Sequence, residues 1–340
     1  MNMVNIRYIV SIIMTLVTYQ MVAQDIHFSQ FYASPLTLNP AQTGWYKGDI
    51  RISGNYRTQW KAIDNKPYAT IGAGVEKQFH YFTNTYSFGL QAVSDETGYV
   101  GLVSNKVLLS GAFSKKLNGH KISAGIQAGV VYKSTNVIRY TFDDQFDLGG
   151  SSVFNPKLPT AEVPGEPILY GLVNAGAMWS KRLTNRIEPE FGISIFNINT
   201  PKESFYGLDL NEAQLPIRTA LYASGKYSLT NSIIVVPHVL YMSQKKATEC
   251  LLGGEVEYKL SENIRPYIGT SIRYGLSRNF DASSWIGGMQ INNWRVGLSY
   301  DVNISGLQQA TNNRGAFEVS LIYITPSVQS TFIKIPCDRL

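Results

Sequence analysis

The feature that most constrains this chain is a period of two that returns from one end of it to the other. In GDIRISGNYRTQW, Ile50, Ile52, Gly54, Tyr56, Thr58 and Trp60 alternate with Arg51, Ser53, Asn55, Arg57 and Gln59. An apolar row and a strongly polar row therefore lie on opposite faces of one strand. The pattern repeats in VSNKVLLSGAFSK, in KISAGIQAGVVYK and in NWRVGLSYDV, and it recurs where Cys250, Leu252, Val256 and Tyr258 oppose Glu249, Glu255, Glu257 and Lys259. About fourteen such segments can be placed between residues 49 and 325, most of them ten to fourteen residues long. Strands of soluble proteins run roughly 5 to 6 residues, whereas a tilted strand that crosses a bilayer needs roughly 9 to 11.

Connection lengths point the same way. After every second strand the link is short, as at Leu117 to His120, Leu183 to Arg186, Leu229 to Asn231 and Asn292-Asn293. The intervening links are mostly longer, including Lys61 to Tyr68, 135–167 and Asn199 to Leu215. Short turns on one side and long loops on the other are the habit of outer-membrane barrels. The reading is an all-β transmembrane antiparallel β-barrel of about fourteen strands, with 12 to 16 as the range, preceded by an N-terminal periplasmic or plug segment. Closure follows from the solvent: hydrocarbon offers backbone groups no partners, so a spanning sheet can have no open edge.

Composition supports this. Only 16% of residues are charged, against roughly 25% in an ordinary soluble domain. Arg7 followed by the apolar run Tyr8 to Val17 and a small-residue region reads as a secretory signal over 1–23, with cleavage between Ala23 and Gln24. The formal charge of +6 falls to +5 once Arg7 is removed, and Lys and Arg occur singly or in pairs. That scatter excludes the clustered basic face of a nucleic-acid binder.

The polar rows would face the lumen, with Arg51, Arg57, Gln59, Glu255, Glu257 and Arg295 as candidate lumen-facing residues beside Arg218, Arg273, Asp301 and Glu318. The apolar rows would face lipid. Trp45, Tyr46, Trp60, Tyr68, Trp179, Tyr206, Trp285 and Trp294 lie at or near expected strand ends, where their rings suit the headgroup level. Four histidines, His27, His80, His120 and His238, do not pair at metal-ligand spacing, and no catalytic motif occurs. The expectation is no enzyme, no metal and no cofactor, with an outer-membrane channel for small solutes as the alternative function.

Residues 24–48 remain. The stretch QDIHFSQFYASPLTLNPAQTG follows neither a helical nor a strand period, and Pro35 and Pro40 prevent it from extending the sheet. Phe28, Gln30, Phe31, Tyr32, Asn39 and Pro40 are its candidate plug or partner contacts. The same stretch resembles the start of the PorP/SprF family of type IX secretion outer-membrane proteins. The resemblance rests on Gln24, Asp25, Phe28-Ser29-Gln30, Asn39-Pro40-Ala41 and Gly44, then on Tyr56-Arg57 and Gln59-Trp60 in the first strand. The last strand, GAFEVSLIYI, and a tail over 326–340 with Cys337 and Arg339 are similar to the family's ending. The resemblance implies a non-enzymatic barrel in a Gram-negative outer membrane of the Bacteroidota kind. It would act in secretion or surface attachment of cargo such as adhesins, in some members for gliding motility. Its implied partners are outer-membrane lipid, type IX secretion components and the C-terminal sorting domain of secreted cargo.

Overall fold

The computed structural model describes residues 28–61, 66–81, 83–98, 101–135, 141–147, 153–155, 157–160, 165–205, 213–275, 279–306 and 308–327. Ala23, Gln24, Tyr206 and Cys337 lie outside them, as does the whole of the segment read as a signal peptide.

Fourteen antiparallel strands close into one barrel. They are β1 (Ile50–Gln59), β2 (Tyr68–Tyr81), β3 (Asn84–Thr97), β4 (Leu102–Leu117), β5 (His120–Thr135), β6 (Ile168–Lys181) and β7 (Ile187–Phe196), then β8 (Arg218–Ser228), β9 (Ile233–Gln244), β10 (Ala247–Tyr258), β11 (Ile264–Gly275), β12 (Asn279–Ile291), β13 (Trp294–Asn303) and β14 (Arg314–Ile324). Each pairs with its sequence neighbours, and β14 pairs back to β1 with Arg57 opposite Glu318. The turns that follow even-numbered strands are short; β12 and β13 are joined through Asn292 and Asn293 alone. Asn118 and Asn292 take positive φ there, of 50° and 51°, a conformation asparagine tolerates better than most residues.

The outer face is apolar. Leu109 is 65% exposed, Ile126 70%, Leu169 69% and Ile268 71%, while their strand neighbours Ser110 and Gln127 are 5% and 1% exposed. A continuous apolar girdle of this extent is far beyond the few hundred Å² that a soluble monomer shows. Lipid is the solvent that makes it stable, and no helix of the described residues is long and apolar enough to cross a membrane.

Two expectations need correction. Trp45 and Tyr46 do not face lipid: both precede β1 and turn into the barrel, where Trp45 packs against a buried apolar cluster. Trp285 is 61% exposed but sits mid-strand, opposite Thr270 and Tyr300, rather than at a strand end. The inward face is also not uniformly polar. Met178, Ala220, Leu240 and Leu251 point inward from β6, β8, β9 and β10 and are 3% exposed or less. The reason is that their neighbour is not water but the chain's own N-terminal segment.

Candidate functional site: a plugged lumen

Residues 28–46 run inside the barrel. They form two single 3-10 turns, Phe31–Ala33 and Pro40–Gln42, around one short helical turn, α1 (Pro35–Leu38). Proline sits at the first position of α1 and of the second 3-10 turn, where a missing N–H costs nothing. So little regular structure leaves many backbone groups to be paired by the wall. At membrane depth, irregular backbone persists only where protein or lumen water supplies those partners.

The first anchor ties residues 29–30 to the wall near the long-loop ends of the strands. The backbone N–H groups of Ser29 and Gln30 donate to the two carboxylate oxygens of Glu318, at 2.9 and 3.0 Å. Glu318 is fully buried and also pairs with Arg57 at 3.2 Å. Arg57 reaches Asp301 at 3.1 Å, and Asp301 meets Arg273 at 3.3 Å. The Ser29 hydroxyl stands at the centre, donating to Asp301 at 2.8 Å and accepting from Arg57 and Arg273 at 2.5 and 2.8 Å. The Gln30 carboxamide finishes the anchor: its nitrogen donates to Ser299, and its oxygen accepts from Ser320 at 2.7 Å. Buried charges are costly unless paired and fully hydrogen-bonded, and here the plug's own polar groups complete the pairing.

Aromatic packing continues the segment. Phe31 meets the edges of Tyr222 and His238 at centroid separations of 5.8 and 5.1 Å. Tyr32 lies beside His238, with the Arg295 guanidinium 5.9 Å from its ring. Burial pushes the Tyr32 phenol well above its ordinary pKa, so it stays neutral. Arg295 is clamped by Glu255 and Glu257, each at 2.6 Å, and stacks over Tyr267 at 3.9 Å.

The middle anchor is Asn39. Its nitrogen donates to the carbonyls of Ala177 and Ile193 at 3.1 and 3.0 Å, so it joins β6 to β7, while its oxygen caps the next turn by accepting from Ala41 N–H at 2.8 Å. The wall makes room with glycine. A Cβ on Gly176 would lie 2.0 Å from the Asn39 oxygen, and one on Gly125 would lie 2.4 Å from the Pro40 carbonyl oxygen. Plug carbonyls on either side accept from wall side chains, Leu38 from Ser194 and Ala41 from Ser123.

The last anchor lies toward the short turns. Glu76 accepts from Gly44 N–H at 2.9 Å and forms a two-pronged pair with Arg51, which also donates to the Gln42 carbonyl and lies 4.5 Å from the Tyr46 ring centre. The Trp45 indole donates to Glu190 at 3.0 Å, under a Lys121 ammonium 3.9 Å above the ring, and Tyr222 donates to the same carboxylate at 2.7 Å. Burial raises the Tyr46 phenol, which donates to the carbonyls of Asp49 and Glu76.

The structure thus places Phe28, Gln30, Phe31, Tyr32, Asn39 and Pro40 all against the inner wall, and five of them, all but Tyr32, are buried. Arg51, Arg57, Glu255, Glu257 and Arg295 face the lumen in ion pairs; Gln59, the last residue of β1, is only half-buried. Gln59 belongs to none of the three anchors. His238 is a packing partner for two aromatic rings. Sequence reasoning did not find Glu76 and Glu190, the two carboxylates that hold the end of the plug. Their only signal is an acidic residue on the inward row, shared with many residues that do other work. Among the described residues no group of three or more His, Cys, Asp or Glu could hold a metal ion, and Cys250 is a free thiol.

Solved structures with this architecture are outer-membrane barrels. The CymD monoaromatic hydrocarbon channel matches with a TM-score of 0.50 at 11% identity, over 86% of this chain and 93% of that one. The Ralstonia pickettii toluene transporter TbuX gives 0.50 at 11% identity, over 86% and 92%. A TodX monoaromatic hydrocarbon channel mutant gives 0.52 at 9%, over 84% and 92%. At such identities the likeness is one of fold. No curated protein sequence matches the chain. A family model described as "Type IX secretion system membrane protein PorP/SprF" matches residues 21–323, which takes in the plug, its three anchors and all but the last residue of the barrel. The chain therefore belongs to the PorP/SprF family of type IX secretion system membrane proteins.

Proposed function

We propose that this chain is a non-enzymatic outer-membrane barrel whose lumen stays closed while it serves secretion or surface attachment of type IX cargo. It does so by binding a cargo C-terminal sorting domain or a subunit of the secretion machinery. The observation that carries the reading is the plug: a lumen crossed by its own chain, which is held at Glu318, Asn39 and Glu76, suits a docking platform better than a solute pore. Family membership supplies the secretion context. In this reading 1–23 is removed on export, 24–48 is the plug segment, 49–325 the barrel and 326–340 a periplasmic tail. Adhesins are the expected class of cargo, and partners meet the loops and turns, since the faces of Phe28, Phe31 and Asn39 are spent on the wall.

The test is deletion of the gene followed by a census of surface and medium proteins. Specific type IX cargo should be lost from the surface, and a plasmid copy should restore it. Unchanged delivery of all such cargo refutes the reading. The channel alternative predicts stepwise conductance of the purified chain in planar bilayers, where the plugged barrel gives none.

A further inference from the structure

The outer face of the barrel carries a polar cluster that the plug does not touch. It lies where β4, β5 and β6 meet the short turns, which face the periplasm in outer-membrane barrels. Lys115 of β4 stands opposite Ile122 of β5, and His120 of β5 stands opposite Lys181 of β6. These side chains belong to the outward rows, since Ser114, Ser123 and Ser180, their neighbours in sequence, face inward and are each 5% exposed or less. Lys115 is exposed and Lys181 half-buried, and among the described residues neither lysine forms an ion pair. Glu188, at the start of β7, is taken up by Arg182 at 3.4 Å. Between the two lysines His120 is held in one orientation: its Nδ1 accepts from the Trp179 indole N–H at 3.0 Å. The proton of the ring therefore sits on Nε2, the nitrogen that Trp179 does not engage. Trp179 is itself stacked on Phe191, with centroids 5.6 Å apart and planes 30° apart. Toward the middle of the membrane the same rows turn apolar, with Phe113, Ile122 and Phe191 exposed by 41, 49 and 50%.

We propose that Lys115, His120 and Lys181 form a site for the phosphate of an anionic phospholipid in the periplasmic leaflet. Two strand spacings, roughly 9.5 Å, separate β4 from β6, a gap that two long lysine side chains can close over one phosphate. The Nε2–H of His120 supplies a fixed donor between them, and charge-assisted contacts of this kind are the strong ones. Acyl chains then lie on Phe113, Ile122 and Phe191. A zwitterionic lipid brings its own cation to a place that already holds two, so net negative charge is the basis of selection. The site is separate from the cargo reading, and neither depends on the other.

The test uses the purified full chain in a neutral detergent, with retained lipid counted by native mass spectrometry. The probes are phosphatidylglycerol, phosphatidylcholine with the same acyl chains, and glycerol 3-phosphate, which has the anion without the chains. Phosphatidylglycerol should bind about tenfold or more tightly than phosphatidylcholine, and excess glycerol 3-phosphate should not displace it. Lys115→Gln and Lys181→Gln should each weaken phosphatidylglycerol by about fivefold, the share of one lysine at a membrane surface, and the double variant by about twenty-five-fold. His120→Phe keeps a ring but removes the donor, and should weaken it by about tenfold. Lys77→Gln alters an outward lysine of β2 that lies over Phe79, away from the cluster, and should change nothing. Retention of the heat-dependent gel shift of a folded barrel shows which variants are intact, and either single lysine variant suffices if the double one does not fold. Equal binding of the two lipids, displacement by glycerol 3-phosphate, or unchanged affinity in a folded lysine variant overturns the proposal. So does a loss in Lys77→Gln as large as that in Lys115→Gln, which would mean a diffuse basic girdle.

Discussion

Replacing Glu318 with Gln should free the front of the plug while leaving its rear in place. Glu318 is fully buried and offers one oxygen to Gln30 N–H at 3.0 Å and the other to both Ser29 N–H at 2.9 Å and Arg57 at 3.2 Å. Gln keeps one acceptor and converts the other into a donor that faces two donors. Hydrogen bonds to charged groups contribute about 1.5–3 kcal/mol, and a buried polar group left unpaired costs about 1–3 kcal/mol. Arg57 keeps Asp301 as a partner, so the full penalty of an orphaned buried charge, about 3–5 kcal/mol, is an upper bound. A net loss of about 3–4 kcal/mol corresponds to a rise of roughly a hundredfold to a thousandfold in the open population. Hydrogen exchange read by mass spectrometry resolves this. Amides of 29–33 should exchange faster by about that factor, while 41–46, held by Glu76 and Glu190 on the far side of Asn39, should change by less than about threefold. An unchanged front segment would refute the anchor. An equal acceleration of both segments would refute the division into independent anchors.

Other perturbations read the remaining contacts. Gly176→Val should drive a side chain into the space of the Asn39 oxygen, so exchange at Asn39 to Thr43 should accelerate while the gel shift of the folded barrel persists. Trp45→Phe keeps an aromatic ring but loses the indole N–H bonded to Glu190 and part of the surface packed on the cluster and under Lys121; it should lower barrel stability in urea by at least about 1.5–3 kcal/mol, and Tyr222→Phe, which removes the other donor to that carboxylate, should cost more in the Trp45→Phe background than alone. Removing Phe28 to Tyr46 while keeping residues 1–27 should give a barrel that conducts in planar bilayers; a silent deletion variant would mean that something other than this segment closes the lumen.

Much of the barrel could be read from sequence because a half-polar strand leaves its register in the order of its residues. Ile52 and Tyr56 outside, Arg51 and Arg57 inside, follow from alternation alone, and a slip of one residue would put arginine into lipid. The plug's partners were beyond such reading. Ser29 and Glu318 are 289 residues apart in the chain, and only closure of the sheet brings them together. Trp45 and Tyr46 misled for a related reason: a position just before a strand is shared by girdle aromatics and by a chain turning inward. Met178, Leu240 and Leu251 escaped notice because the period of a strand tells which residues share a face, not what that face meets.

The Arg57 to Glu318 pair lies across the seam where the first strand meets the last. Neighbouring strands can hydrogen-bond as soon as both have been delivered, but that seam has to wait for the end of the chain. Its inner side is lined by the groups that Ser29 and Gln30 complete. Sealing the cylinder with the segment outside would leave that arginine and its two carboxylates to lumen water, which the segment would then have to displace to reach them. Placing the N-terminal segment before or during the final stitch avoids that exchange, so one cross-strand pair couples closure of the seam to seating of the plug.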